Sequence, residues 1–291
     1  MQSWVWRHVH ISLPDDWELL QFTRNPALGR CAFADRYQFR FELCWREVPG
    51  APDFARMLTD YQARLDEDGL KDTRRIQCAG WQGVSGVLPD RRTTCRYGAH
   101  LADLGCLIEA VFLWPKDRRS DIESAVLESL HSEAPTAEGL VHWQAFGLDL
   151  HTMRGGHLEY CRADPGLAEL GFSFGRRRVW ERFSRHGLLA QWLTVPVPEW
   201  QRRAIPKGFR MLQSRQEDRH GHSIARLRAE RSSPRLADFW QGRREYRAAA
   251  WRCPHDGRLY QVSREAPRGR GVDPEWPPLR LRCCADLEVS L

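Results

Sequence analysis

The clearest pattern in the sequence is an alternation of apolar and polar side chains from Tyr37 to Arg46. A period of two predicts a strand with one buried face and one face toward water. The residues on the apolar face are Tyr37, Phe39, Phe41, Leu43 and Trp45. The polar face carries Gln38, Arg40, Glu42, Cys44 and Arg46.

A helix is predicted directly after this strand, from Asp53 to about Asp68. Asp53 can cap its first turn, and Gly69 supplies a residue suited to its end. Its apolar positions recur every three or four residues, so they form one stripe that can cover a sheet. These positions are Phe54, Met57, Leu58, Tyr61 and Leu65.

The rest of the first half contains further extended segments bounded by turn residues. Trp4 to Leu13 and Trp17 to Thr23 are expected to form a hairpin about the turn at Pro14. The other extended segments are Gly29 to Ala34, Ile76 to Val87, Thr93 to Leu101 and Cys106 to Trp114. The four residues from Ser120 to Glu123 fit a capping box, which predicts a second, short helix.

The second half contains a similar series of extended segments separated by turn residues. The segments predicted to be extended are Trp143 to Thr152, His157 to Cys161, Leu167 to Phe174, Phe209 to Gln213, Ser223 to Glu230, Arg247 to Arg252 and Arg258 to Ser263. A helical segment is expected between Val179 and Ala204, interrupted near Pro196 and Pro198. Another helix is expected to carry Leu236, Phe239 and Trp240.

The order of three strands, a helix and three strands therefore occurs twice in a chain of 291 residues. That length is about twice the usual domain size. We expect two tandem α/β sandwich units, 1–137 and 138–291, each a curved, mostly antiparallel sheet covered by helix. The alternative is a chance similarity of order, because residue identity between the halves is low.

The first half resembles the small α/β sandwich of the Mog1/PsbP-like proteins, which include the bacterial DcrB-related proteins. The resemblance lies in the segment Val9 to Leu19, the strand Tyr37 to Trp45 and the helix Asp53 to Gly69. It implies a helix-covered sheet. It carries no catalytic residue across, since these proteins share architecture more than activity.

Composition places the chain among globular proteins, with 42% hydrophobic residues and 13 Trp. The longest apolar run, Cys106 to Pro115, is too short to span a bilayer and contains Glu109. The first 13 residues lack the features of a signal peptide. Nine cysteines without regular disulfide spacing predict reduced thiols, and we therefore expect a cytoplasmic protein.

The strongest candidate for chemistry is Cys253 and His255 together with Cys283 and Cys284. Thiolate and imidazole ligands suit a tetrahedral zinc ion. The spacing is irregular, however, and adjacent cysteines on a regular strand face opposite ways. The sequence favours buried structural cysteines, with no cofactor, and keeps zinc as the alternative.

Two histidine pairs, His8 with His10 and His220 with His222, each place two imidazoles on one face if extended. Such a pair could begin a metal or acid/base site. The surroundings of His220 are typical of a hairpin loop, so structural roles are favoured for both pairs.

The net charge of +6 permits binding of polyanions. Basic stretches near three tryptophans could bind single-stranded nucleic acid by charge and stacking. The residues concerned are Arg176, Arg177, Arg178, Arg202, Arg203, Arg243 and Arg244, with Trp180, Trp200 and Trp240. Inward packing of the tryptophans is the favoured interpretation.

No phosphate-binding glycine loop and no nucleophile elbow are present in the sequence. The leading hypothesis is therefore a non-catalytic binding or adaptor protein. It would recognise another protein or a small ligand in a cleft between the units, which join around Ala134 to Leu140, or on a sheet face. The alternatives are a zinc-binding protein or metal-dependent enzyme, and a nucleic-acid binder.

Overall fold

Antiparallel pairing of alternating strands organises the protein, which we describe from a computed structural model. The structure describes residues 1–25, 27–175, 179–231, 243–267 and 279–291. They form two compact units, Met1–Glu133 and Ala134–Leu291. Each is dominated by mostly antiparallel sheet and has few helices, as the sequence predicts for the sheets. The α/β sandwich assignment stays a prediction.

The described elements of the first unit follow one another in this order: β1 (Gln2–Trp6), β2 (Val9–Leu13), β3 (Glu18–Phe22), β4 (Leu28–Ala34), β5 (Phe39–Glu47), α1 (Phe54–Glu67), β6 (Lys71–Cys78), β7 (Trp81–Val87), β8 (Thr93–Leu101), a 3₁₀ turn (Ala102–Leu104), β9 (Cys106–Trp114), α2 (Ser120–Ser129) and β10 (His131–Ser132). Seven of these strands form one large sheet in the order β3-β4-β5-β9-β8-β7-β6.

The inner face of this sheet is a core of aromatic side chains. Phe41, Leu43 and Trp45 of β5 are buried there, which confirms the alternation predicted from the sequence. The β1–β2 hairpin covers the face: the Trp4 ring packs edge-on against Phe33, with ring centroids 5.4 Å apart. Burial of several large aromatic side chains on one face makes this the main apolar contribution to the stability of the unit.

The outer face is covered by α1, as predicted. The Asp53 carboxylate caps the helix by accepting a hydrogen bond of 3.1 Å from the Arg56 amide. Leu58 and Leu65 bury one stripe of the helix, together with Val84 of β7. The predicted helix boundaries are confirmed because the cap and the apolar stripe agree.

Three local predictions are wrong in the first unit. Ile76 to Val87 is not one extended segment, because a turn at Ala79 and Gly80, both with positive φ, separates β6 from β7. Trp4 to Leu13 is not one strand but a hairpin that turns at Arg7 and His8, both of which have positive φ. The capping box also does not form. Arg119 occupies the N-cap position of α2 without a side-chain cap. The Glu123 carboxylate instead accepts hydrogen bonds from buried side chains on the inner face, including Trp114.

The described elements of the second unit are β11 (Leu140–Ala145), β12 (Leu148–Met153), β13 (His157–Asp164), β14 (Leu167–Phe174), β15 (Val179–His186), α3 (Leu189–Trp192), α4 (Val197–Arg203), β16 (Arg210–Arg219), β17 (His222–Arg231), β18 (Arg244–Arg252), β19 (Leu259–Pro267), β20 (Arg280–Cys284) and β21 (Leu287–Ser290). Its large sheet has the order β13-β14-β15-β19-β18-β17-β16.

This order matches that of the first unit strand for strand. In both large sheets a three-stranded meander is followed by a helical connection to the far edge, and four strands then return to pair with the third strand. The same sheet topology therefore occurs twice along the chain.

The helix expected between Val179 and Ala204 is wrong over its first part. Val179–His186 forms β15, with buried residues on alternate positions at its start, and only the short helices α3 and α4 follow. The apolar residues in this segment fit both the two-residue spacing of a strand and the three- to four-residue spacing of a helix. Periodicity alone therefore did not distinguish a strand from a helix. The helix expected at Leu236 to Trp240 lies outside the described residues.

The inner face of the second sheet contains a buried ion pair. The Glu181 carboxylate, 1% exposed, accepts hydrogen bonds from Arg264 and from the Thr152 hydroxyl of β12. On the outer face, Ile205 and Phe209 pack against the sheet after α4. No helix in the described ranges combines the length and the apolar character needed to cross a bilayer.

Candidate metal centre

A tight hairpin turn positions the first candidate ligand, His222. Arg219 pairs with His222 across the β16–β17 hairpin, and the two turn residues, His220 and Gly221, have φ of 50° and 74°. Positive φ at both positions is typical of a type I′ turn. The turn places His222 at the start of β17, with its side chain fully buried.

A hydrogen bond at Nδ1 fixes the orientation of the His222 ring. Its Nδ1 lies 2.8 Å from the His220 carbonyl oxygen. Because a carbonyl oxygen can only accept, Nδ1 carries the hydrogen and donates a hydrogen bond to that oxygen. The lone pair of Nε2 is then available on the opposite side of the ring. Metal-binding histidines are commonly held in this way, with the second nitrogen donating to a carbonyl or carboxylate.

The second candidate ligand, Cys253, follows β18 directly. A short loop turns the chain back into β19: the Cys253 amide donates to the Arg258 carbonyl, and the Gly257 amide donates to the Cys253 carbonyl. The side chain of Cys253 is fully buried. The loop therefore places its sulfur inside the unit, near His222.

A β-bulge lets two adjacent cysteines contribute to one site. Arg282 pairs with Glu288 and Cys284 pairs with Leu287, which leaves Cys283 as the extra residue in β20. A bulge breaks the alternation of side chains. The Sγ atoms of Cys283 and Cys284 lie 3.7 Å apart, so the objection that neighbours on a regular strand face opposite ways does not apply here.

Together these segments form a cluster of four ligand atoms, the Nε2 of His222 and the sulfurs of Cys253, Cys283 and Cys284, all within 4.8 Å of one another. His222 Nε2 lies 3.5 Å from Cys283 Sγ and 3.6 Å from Cys284 Sγ. Zinc–sulfur bonds of about 2.3 Å and zinc–nitrogen bonds of about 2.05 Å give tetrahedral edges of about 3.8 Å and about 3.6 Å. The three spacings among His222, Cys283 and Cys284 match those edges, and the Cys253 sulfur lies within 4.8 Å of each of the three atoms.

The surroundings of the cluster affect the charge on sulfur. Burial raises the pKa of Cys283, while its interaction with the indole N–H of Trp251 lowers that pKa by favouring the thiolate. Trp251 is fully buried, and its Nε1 has no oxygen or nitrogen acceptor within the described part of the chain. A bound cation would shift the balance further toward thiolate.

The structure brings together three of the four residues proposed from the sequence and adds a different histidine. His255 is more than half exposed, and its Nε2 lies 3.1 Å from the Asp286 carboxylate. With Asp286 and Cys284 it forms a neighbouring, exposed group. His222 supplies the fourth ligand atom of the buried cluster. A histidine directly after a His-Gly turn was the available sequence signal, but its distance from the cysteines concealed the link.

The other candidate residues are distributed elsewhere. His8 lies in the first hairpin turn, and His10 stacks on His131 in β10, with ring centroids 4.6 Å apart. Arg244 is buried and paired with Glu265, whereas Arg202 lies exposed at the end of α4. Arg176, Arg177, Arg178 and Trp240 lie outside the described residues.

A cleft lies in the first unit between α1 and the outer face of the sheet. Its volume is about 210 Å³, and its walls are mainly apolar, including Phe54, Met57 and Leu107. At one end the Tyr61 hydroxyl donates to Glu109 and accepts a hydrogen bond of 2.7 Å from Arg96. The cleft therefore combines apolar walls with one polar end.

Comparison with known proteins shows similarity of fold at a low level. A protein from Bacteroides thetaiotaomicron VPI-5482 is 10% identical, with a TM-score of 0.31 and coverage of 51% of each chain. This chain thus spans about half the length of that protein. The apo T6SS immunity protein TplEi from Pseudomonas aeruginosa is also 10% identical, with a TM-score of 0.39, over 91% of this chain and 88% of that one.

At this identity and these TM-scores the two structures carry no argument about function. No protein-family model matches the sequence, and no curated protein matches it. The resemblance to Mog1/PsbP-like proteins therefore stays a prediction.

Proposed function

We propose that this chain is a zinc-binding protein in which His222, Cys253, Cys283 and Cys284 hold a structural Zn²⁺ ion. The proposal rests on one observation: the four ligand atoms lie within 4.8 Å of one another, and the three spacings among His222, Cys283 and Cys284 match the edges of a zinc tetrahedron. Four protein ligands close the coordination shell, and zinc sites of this type are structural. Catalytic zinc sites leave one position open, so the geometry favours the non-catalytic alternative.

The ion would connect three segments that are distant in sequence: the β16–β17 turn, the β18–β19 loop and the bulge of β20. Coordination free energy contributes directly to folding when the site exists only in the folded state. At a free zinc concentration a thousandfold above the dissociation constant, the contribution is about 4 kcal/mol. Zinc would therefore stabilise the second unit.

The direct test is the zinc content of purified protein, measured by elemental analysis. We expect one zinc per chain, and loss of zinc in Cys253→Ser and in Cys283→Ser. Cys106→Ser is the matched control, because Cys106 is a buried thiol in the first unit. A metal-free wild-type protein whose melting temperature does not change on adding zinc would overturn the proposal, as would full zinc content in Cys253→Ser.

Cobalt gives a second readout that does not depend on how stable the variants are. Tetrahedral Co²⁺ bound by three thiolates has intense ligand-field bands and sulfur-to-cobalt charge-transfer bands. We expect both sets of bands in wild-type protein refolded with Co²⁺. The spectrum of octahedral, oxygen-coordinated Co²⁺ would contradict the ligand set.

A second candidate function, non-catalytic binding of a small ligand, is favoured by the cleft under α1 in the first unit. Its apolar walls and one polar end, where Arg96 lies 3.9 Å from Glu109, suit a small and mainly apolar ligand with a polar group. The probe is 8-anilinonaphthalene-1-sulfonate, whose fluorescence rises in apolar sites. We expect Met57→Trp, which fills the cleft, to abolish the rise, while Arg56→Trp on the exposed side of α1 preserves it. Equal fluorescence in both variants would exclude the cleft.

A further inference from the structure

Two cross-strand pairs of arginines lie side by side on the second sheet, away from the metal cluster. Arg215 of β16 is directly opposite Arg226 of β17, and Arg228 of β17 is directly opposite Arg247 of β18. Arg226 and Arg228 are two residues apart and therefore share a face of β17. Like charges in directly opposed positions destabilise a sheet. An arrangement of four such cations needs anions nearby.

The protein supplies only part of that compensation. Glu217 lies 2.7 Å from Arg226 and 3.9 Å from Arg215. Glu245 bridges the other pair, at 2.7 Å from Arg228 and 2.5 Å from Arg247. Four guanidinium groups face two carboxylates, which leaves two positive charges among these side chains.

The side chains next to this cluster do not alter the balance, whereas the terminal carboxylate of Leu291 lies in the groove wall and supplies one negative charge. Arg210 pairs with Glu230 at 3.3 Å, and Arg264 pairs with Glu181 at 2.7 Å, so both neighbouring pairs are neutral. Arg226 also donates a hydrogen bond of 2.9 Å to the Ser290 carbonyl oxygen, which is an uncharged acceptor.

The arginines line a groove of about 290 Å³, together with Gln213 and Leu291. Arg215, Arg228 and Arg247 have side chains between 39% and 62% exposed, so their remaining N–H groups are open to a ligand. The guanidinium fork matches the oxygens of a phosphate group and binds them in pairs.

We infer that this groove binds a small molecule carrying a phosphate monoester, with Arg215, Arg228 and Arg247 as the main contacts. A phosphate monoester carries about −1.5 to −2 charges at pH 7, so the positive charge that remains among these arginines attracts it. The volume of the groove suits a small molecule. This site shares no residue with the proposed zinc centre, so either proposal can fail without the other.

The test measures binding to the purified 291-residue protein by isothermal titration calorimetry at fixed ionic strength. The probe is phenyl phosphate, and the comparison ligand is diphenyl phosphate, a diester with one charge. We expect phenyl phosphate to bind at least about tenfold more tightly, because its second negative charge strengthens the hydrogen bonds from the guanidinium groups. Equal affinity for the two ligands would overturn the inference.

Variants locate the site. Arg228→Met and Arg247→Met are expected to weaken phenyl phosphate binding by about tenfold or more. Arg210→Met is the matched control, since Arg210 lies on β16, is exposed and pairs with Glu230 beside the groove. If Arg247→Met does not fold, Arg247→Lys keeps the charge and removes the planar fork, and it should still weaken binding. An equal loss in Arg210→Met would overturn the assignment.

A third arm distinguishes the source of the phosphate. A short phosphoserine peptide offers the same group attached to a chain. Binding of phenyl phosphate with affinity equal to or greater than that of the peptide supports the small-molecule ligand. Binding of the peptide alone would overturn it in favour of a phosphorylated protein.

Discussion

His222 Nε2 lies 3.5 Å from Cys283 Sγ, although the two residues are 61 positions apart in the chain. The I′ turn positions His222 at one end of this contact, and the β20 bulge positions Cys283 at the other. A buried imidazole and three thiols are the ligand types of the closed zinc site that we propose here. Four experiments beyond those given with the proposals test the structure.

The two histidines near the cysteines are expected to differ in their effect on zinc. His222→Ala removes a buried ligand atom and should abolish stoichiometric zinc binding. His255→Ala removes an exposed side chain that pairs with Asp286, so zinc content should stay at one per chain. Competition with a chromogenic chelator measures both affinities. Zinc loss in His255→Ala and its retention in His222→Ala would reverse the assignment.

Stability of the second unit should depend on His186. Burial lowers the pKa of His186 to about 4, from about 6.5 in the unfolded chain. Between these values the unfolded state binds more protons than the folded state, so stability falls as pH falls from about 6.5 to about 4. The shift corresponds to about 3 kcal/mol.

The measurement is chemical denaturation across this pH range for wild type and His186→Gln. The two proteins share every other titratable group, so the difference between the two curves isolates His186. We expect the difference to grow toward acid, with wild type losing more stability. Parallel curves would show that His186 titrates normally.

The buried Glu123 should make the first unit sensitive to loss of Arg118. The Glu123 carboxylate is fully buried and accepts hydrogen bonds from Tyr97, Trp114 and Arg118 at 2.6 to 2.7 Å. Arg118→Met leaves a buried charge without its cation, which costs about 3–5 kcal/mol. In Arg118→Met/Glu123→Gln the charge is gone, so urea denaturation should show part of that loss recovered. No recovery would argue against burial of an ionised carboxylate.

Close packing of β7 against β8 should exclude a side chain at Gly83. A Cβ at Gly83 would lie 2.1 Å from the Arg96 carbonyl oxygen, a backbone atom that cannot move without shifting the strand. Gly83→Ala should therefore destabilise the protein by about 1–3 kcal/mol. Gly50→Ala is the control, since no atom lies within 4 Å of its Cβ position, and its effect should be within about 0.5 kcal/mol. Equal melting temperatures for the two variants would contradict the packing.

The sequence by itself determined the elements whose signals agree locally. The alternation in β5 and the cap and stripe of α1 fix which residues are buried, because each depends on neighbours within a few positions. The same kind of signal gave a wrong prediction at β15, where the apolar residues fit the period of a strand and that of a helix. It also failed at the β1–β2 hairpin, because Arg7 and His8 adopt positive φ in a turn that contains no glycine.

Only the tertiary structure decided which ligand atoms meet. The three cysteines were visible as candidates in the sequence, but the bulge that turns Cys283 and Cys284 to the same side arises from pairing with β21. The choice of His222 over His255 depends on strand order, which brings the β16–β17 turn beside a loop some thirty residues away. Periodicity records the face of a residue within its own element, whereas a metal site depends on distances between elements.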